Sequence, residues 1–129
     1  MVLDASVLVA VLLREAGYEF LLARIETAIT VCICAPTLLE ANMVLSGRMR
    51  RDATSGLRLF LNRFRIEVVP FSEAHYEVAS TAFQRFGKGR HPAALNFGDC
   101  IAYSTSVLTG LPLLYCGNDF SRTDIEAAT

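Results

Sequence analysis

The sequence predicts an α/β fold of three layers, with a central, mostly parallel sheet of four to five strands and helices on both faces. Three observations carry this expectation. Short apolar runs alternate with stretches of helical period along the whole chain, the pattern of successive strand–helix units. The runs are apolar on both faces, as strands covered from both sides are. At 129 residues, 53% of them hydrophobic, the chain suits one domain with a substantial core, so residues 1–129 are read as a single domain.

Val2-Leu3 reads as a short buried strand that turns directly into a helix through Val7 to Leu13, with Asp4 or Ser6 available as its cap. A second helix covers Tyr18 to Ala28. Val31 to Ala35 is apolar throughout and predicts a central strand, which Pro36 ends. From Thr37 to Arg51 apolar residues recur at helical spacing, with Glu40 in the first turn and Arg48, Arg50 and Arg51 where cations favour the helix dipole. Asp52 to Gly56 opens another helix, striped by Leu57, Phe60, Leu61 and Phe64. Ile66 to Phe71 is a strand limited by Pro70. Ser72 starts a helix that breaks at Gly87, and Gly87 to Pro92 is a flexible basic loop. Asn96 to Asp99 leads into a helix through Leu108, ended by Gly110 and Pro112. Leu113 to Cys116 is the last buried strand, and Gly117-Asn118-Asp119 a turn.

The longest apolar stretch, Val7 to Leu13, is far short of the roughly 20 residues a membrane-spanning helix needs. The N-terminus lacks a basic region before an apolar one, unlike a signal peptide, so the expected location is the cytoplasm. Cys32, Cys34, Cys100 and Cys116 form neither a C-x-x-C pair nor a zinc-ligand pattern with the two histidines, and read as reduced, buried thiols.

Four carboxylates stand where apolar runs give way to polar sequence: Asp4, Glu40, Asp99 and Asp119. Each has a purely structural reading. Asp4 is a preferred N-cap, Asp99 is the N3 acid of an Asn96 cap, Glu40 is an acidic first-turn residue, and Asp119 is ordinary turn chemistry. Their joint placement argues for more. If the apolar runs are parallel strands, all four lie at the carboxyl edge of one sheet, where open α/β folds bind ligands. Clustered carboxylates repel and need a cation. Hard oxygen donors suit Mg²⁺ or Mn²⁺, and one ion, or two about 4 Å apart, can activate water and clamp a phosphodiester. The net charge of −1 argues against nucleic acid as a partner until those four acids are assigned to a metal, which leaves the 12 basic residues in excess. All but Lys88 of these are Arg, whose planar fork suits phosphate, although a GC-rich genome produces the same bias.

At these residues the chain resembles the PIN-domain family and, within it, the VapC toxins of bacterial VapBC toxin–antitoxin pairs. The likeness runs over nearly the whole length. Met1-Val2-Leu3-Asp4-Ala5-Ser6 is similar to the family's opening, Ala35 to Glu40 to its second motif, Leu95 to Cys100 to its third, and Leu113 to Phe120 with Thr123-Asp124-Ile125 to its last. The resemblance implies a PIN-like fold and Asp4, Glu40, Asp99 and Asp119 as metal ligands, supported by Ser6 and Asn96. Asp124 is the rival of Asp119 for the fourth place. It further implies a Mg²⁺- or Mn²⁺-dependent endoribonuclease that cleaves tRNA or rRNA, forms a homodimer, and is neutralised by a VapB-type antitoxin.

Lys88, Arg90 and His91, on the loop before the Asp99 helix, and Arg122 beside the last acid are candidates for RNA phosphate, or simply solvated charges. His75 reads as a helix-surface residue. A catalytically silent PIN-like binding module is the alternative, and a missing acid would mark it; none is missing. A phosphatase-like or receiver-like domain would be expected to carry an acid two residues after the first Asp or a Lys ending a late strand, and neither is present.

Overall fold

The computed structural model describes residues 1–128. In chain order the elements are β1 (Val2–Leu3), α1 (Ala5–Leu12), α2 (Tyr18–Thr27), β2 (Cys32–Cys34), α3 (Ala35–Met49), α4 (Thr54–Arg63), β3 (Glu67–Val69), α5 (Glu73–Phe86), α6 (Phe97–Thr109) and β4 (Leu113–Leu114). The strands form one sheet in the order β3-β2-β1-β4, and every pairing is parallel. Val2 stands level with Cys32 on one side and with Leu113 on the other.

Successive strand residues point to opposite faces, and this alternation divides the core in two. Val2, Cys32 and Leu113 pack with Ala82 and Phe86 of α5 and Ala102 and Tyr103 of α6. Leu3, Ile33 and Leu114 pack with Val7 and Leu8 of α1, Ala41 and Leu45 of α3, and Leu57 and Phe60 of α4. The three-layer α/β/α expectation holds. The segment Glu126 to Ala128 runs along the outer edge of β4, where Leu113 N–H donates to Glu126 O (2.8 Å) and Ala128 N–H to Leu113 O (2.9 Å). At the opposite edge β3 is largely exposed, and Pro70 follows it directly, a residue that discourages further strand pairing.

Several local expectations change. Pro36 does more than end a strand: α3 begins at Ala35, immediately after β2, and Pro36 sits in its first turn, where a missing N–H leaves no helical bond unmade. His75 is buried rather than on the surface. It closes a capping box at the start of α5, its Nδ1 facing Ser72 N (3.3 Å) and Ser72 Oγ (2.8 Å), while burial lowers its pKa. A buried imidazole was not legible because a capping box usually places Glu or Gln at that position. Cys32, Cys34 and Cys100 are buried free thiols as expected, but Cys116 is only half-buried. The basic segment Gly87 to Pro92 is closed at its base: Lys88 N–H donates to Leu95 O (3.0 Å), and Leu95 N–H to Phe86 O (2.9 Å).

Arg50 ends α3 in the left-handed region, with φ 54° and ψ 38°. A β-carbon there costs about 1–2 kcal/mol, partly offset in a glycine variant by the greater freedom of glycine in the unfolded chain. Arg50→Gly is therefore expected to raise unfolding free energy by about 0.5 kcal/mol, read from urea denaturation. A lower midpoint would show that the exposed arginine makes a compensating contact.

Candidate active site

The sheet order places β2 and β3 on one side of β1 and β4 on the other. The crevice at the carboxyl ends of β1 and β4 is therefore the topological switch point, where open α/β sheets take their ligands. Asp4 follows β1, Glu40 lies in the second turn of α3 behind β2, Asp99 lies in the first turn of α6, and Asp119, exposed, opens the turn that follows β4. Parallel βα connectivity brings Asp4 and Glu40 to this edge; Asp99 opens the helix that leads back into the parallel strand β4, and Asp119 follows that strand.

Asp4 is the N-cap of α1: its Oδ2 accepts from Ser6 N–H (3.0 Å) and from Ser6 Oγ. The Ser6 hydroxyl in turn accepts from Cys116 N–H (3.0 Å), which ties the end of β1 to the chain leaving β4. Asp99 belongs to the capping box of α6. Its Oδ2 accepts from Asn96 N–H (2.9 Å), and Asn96 Oδ1 accepts from Asp99 N–H (2.9 Å). These bonds use Oδ2 of each aspartate and leave Oδ1 for other partners.

Glu40 is seated against the backbone of Gly98. A β-carbon at position 98 would fall on the Glu40 carboxylate, 2.8 Å from Oε1 and closer still to Oε2. Gly98 is thus part of the site, and the sequence reading did not single it out. Asn-Phe-Gly-Asp looks like helix-start chemistry, and only the approach of α3 to α6 makes the missing side chain a requirement.

The four acids share one electrostatic field. Burial raises the pKa of Asp4 against its bonds from Ser6, and the charge of Asp119 adds to the rise. Burial, then Asp4, raises Glu40. Asp99 is pushed up to about 6 by burial and by the charges of Asp4, Asp119 and Glu40, the Asn96 N–H opposing them. Asp124 stands outside this field. Its Oδ1 accepts from Tyr103 Oη (2.6 Å) and its Oδ2 from Arg85 Nη2 (2.9 Å). Tyr103 and then Arg85 hold its carboxyl below the usual range. Of the two rivals, the structure brings Asp119 to the other acids and pins Asp124 elsewhere.

Among the described residues no three His, Cys, Asp or Glu side chains stand close enough together, as they are placed here, to hold a metal ion. An open set of hard carboxylate oxygens, three of them with pKa values raised by burial and then by their neighbours' charge, fits Mg²⁺ or Mn²⁺, which bind through one or two carboxylates and keep several waters. It does not fit a structural zinc.

Lys88 and Arg90 are exposed, on a turn whose base closes at Leu95, the residue before Asn96. Arg90 lies over Phe83 (5.3 Å to the ring centroid), and His91 packs edge-on against Phe86 (5.2 Å) and accepts from Ala93 N–H at Nδ1. Arg122 is exposed three residues after Asp119. Beside the acids runs an apolar groove of about 470 Å³, whose lining includes Pro36, Leu39, Glu40, Met43 and Phe97. Phe97 is 83% exposed and Met43 67%.

Fold and site together define an open parallel α/β domain with an acidic centre at its switch point. The chain belongs to the PIN-domain family, whose model matches residues 1–126. It is similar to ribonuclease VapC36 of Mycobacterium tuberculosis, 39% identical over 127 residues that cover 98% of this chain and 91% of the relative. Ribonuclease VapC of Mycolicibacterium smegmatis is 35% identical over 127 residues, 98% of each chain. In fold it resembles the crystal structure of Mycobacterium tuberculosis VapC20, described as a toxin that cleaves the sarcin–ricin loop, with a TM-score of 0.71, 16% identity and coverage of 96% and 95%.

Because Asp99 has a raised pKa in the folded state, the native protein binds more protons than the unfolded chain between about pH 4 and 6, and stability falls as pH rises through that window. In EDTA at pH 7.5, Asp99→Asn is expected to be more stable than the wild type by about 1–2 kcal/mol. The gap should close as pH falls towards 4. A variant less stable than wild type at pH 7.5 would mean that the capping bond outweighs the repulsion.

Proposed function

We propose that this chain is a Mg²⁺- or Mn²⁺-dependent endoribonuclease, the toxin of a toxin–antitoxin pair, which hydrolyses phosphodiester bonds in tRNA or rRNA and so inhibits translation. The observation that carries the reading is the shared field of Asp4, Glu40, Asp99 and Asp119 at the switch point, in a chain 39% identical to a ribonuclease over 98% of its length.

In this reading Asp4, Glu40, Asp99 and Asp119 hold the cation. When bound, the ion supplies an acidified water and offsets charge on the scissile phosphate. Ser6 and Asn96 fix one oxygen of Asp4 and of Asp99, so the remaining oxygens are aimed without further ordering cost. Gly98 lets the Glu40 carboxylate rest beside Asp99 rather than in solvent. Lys88, Arg90, His91 and Arg122 contact RNA phosphate outside the acids, which makes affinity fall with salt.

The groove past Phe97, Met43 and Leu39 to Glu40 suits a peptide with apolar side chains followed by a basic one. This supports neutralisation by a cognate VapB-type antitoxin whose arginine replaces the cation's charge among the acids. The toxin acts as a homodimer in the cytoplasm; no helix among the described residues is long and apolar enough to cross a membrane.

The test is cleavage of end-labelled total RNA by antitoxin-free protein with Mg²⁺ or Mn²⁺, with EDTA, and with Asp99→Asn. Discrete products are expected that vanish in both controls. No cleavage by metal-loaded protein across several RNA sources would favour the silent binding module. Gly98→Ala should melt close to the wild type, because the clash falls on the mobile end of Glu40. Its cleavage rate should nevertheless drop by about 10²-fold, as small displacements of catalytic groups do; an unimpaired rate would remove Glu40 from the proposed machinery.

A further inference from the structure

Thr37 is 1% exposed, and its Oγ1 is buried with no hydrogen-bond partner among the described residues. A buried hydroxyl left unpaired is destabilising, because it has lost its water without gaining a partner. Other helical threonines satisfy theirs locally. Thr27, Thr81, Thr105 and Thr109 donate to the carbonyl four residues back, at 2.9, 3.2, 2.9 and 2.7 Å, and Thr54 accepts from the Asn42 amide (3.0 Å). Thr37 makes no such bond, neither four residues back nor to the Cys34 carbonyl three back. It is the third residue of α3, and four residues back is Ile33, inside β2.

Its place in the fold indicates where a partner would come from. Thr37 shares a helix face with Glu40, one turn on. Helical side chains lean towards the N-terminus of their helix, so Thr37 leans towards the carboxyl end of β2. Val2 pairs with Cys32, which puts Asp4 level with Cys34 at that same edge. Helix α3 packs against α1 and α6, the helices capped by Asp4 and by Asn96 with Asp99.

We propose that Thr37 is a positioning residue of the cation site, whose hydroxyl donates a hydrogen bond into the carboxylate cluster when a divalent cation is bound. This rests on reading the four acids as a cation site. The hydroxyl restrains the acids or the water around the ion, and it touches no reacting atom.

Thr37→Val preserves shape and removes the hydroxyl, and Thr37→Ser restores it. Mn²⁺ binding to RNA-free protein is measured by titration calorimetry for the wild type and both variants, and melting is measured in EDTA. Thr37→Val is expected to bind Mn²⁺ about tenfold more weakly, as loss of a residue supporting a metal ligand does, with Thr37→Ser near the wild type. In EDTA Thr37→Val should melt at or above the wild type, since no bond is lost. Equal Mn²⁺ affinity of the wild type and Thr37→Val overturns the proposal while leaving the cation site standing. A Thr37→Val protein that melts well below the wild type in EDTA, with unchanged Mn²⁺ affinity, assigns the hydroxyl a structural role instead. Absence of Mn²⁺ binding by the wild type removes the cation site and Thr37's role with it.

Discussion

Four carboxylates gathered in a partly buried crevice repel one another, and the rest of the structure is what keeps them together. Asp4, Glu40 and Asp99 all have raised pKa values, and in each case a neighbouring acid adds to the effect of burial. A fold that gained nothing from this arrangement would relax it. It cannot relax easily, because the acids are attached to different elements, the end of β1, α3, the start of α6 and the chain leaving β4, and the parallel register of β1 with both β2 and β4 fixes where the strands end. The Ser6 hydroxyl adds a direct tie, donating to Asp4 and accepting from Cys116. Stability is given up at the crevice and recovered in the two apolar layers on either side of the sheet.

Capping and the proposed cation binding draw on the same geometry at two of the four positions. Asp4 caps α1, and Asp99 completes the capping box of α6. In a sequence these uses compete with a catalytic reading, since either explains an acid at a helix start. In the fold they cooperate. The cap bonds hold Oδ2 of each carboxylate against backbone N–H groups, favouring the ionised form against burial and setting the direction of the remaining oxygen. Helix starts also carry partial positive charge, which tempers the repulsion without cancelling it.

The sheet and the joint placement of the acids were legible because both follow from periodicity and connectivity: β1, β2 and β4 are short apolar runs, and an acid following each must lie at the same edge. What was hidden depends on contacts between distant segments. Whether Asp119 or Asp124 joins the cluster turns on Arg85 and Tyr103, which pin Asp124 from 39 and 21 residues away. Gly98 is needed only because Glu40 arrives from another helix. His75 reads as a helix-surface residue in the sequence, and its burial comes with the ring turned back onto Ser72 and against Phe71. β1 keeps its expected limits, whereas β2, β3 and β4 are shorter than their runs for a simpler reason: only two or three residues of each pair, and the remainder lies in helices or turns.

The most direct test of the account is anomalous diffraction from crystals of the protein grown with Mn²⁺. The account predicts a Mn²⁺ peak at the switch point, within coordination distance of Asp4 and Asp99 and flanked by Glu40 and Asp119, with Asp124 still held by Arg85 and Tyr103. A crystal saturated with Mn²⁺ that shows no peak at this edge, or a peak held by Asp124 in place of Asp119, would contradict it.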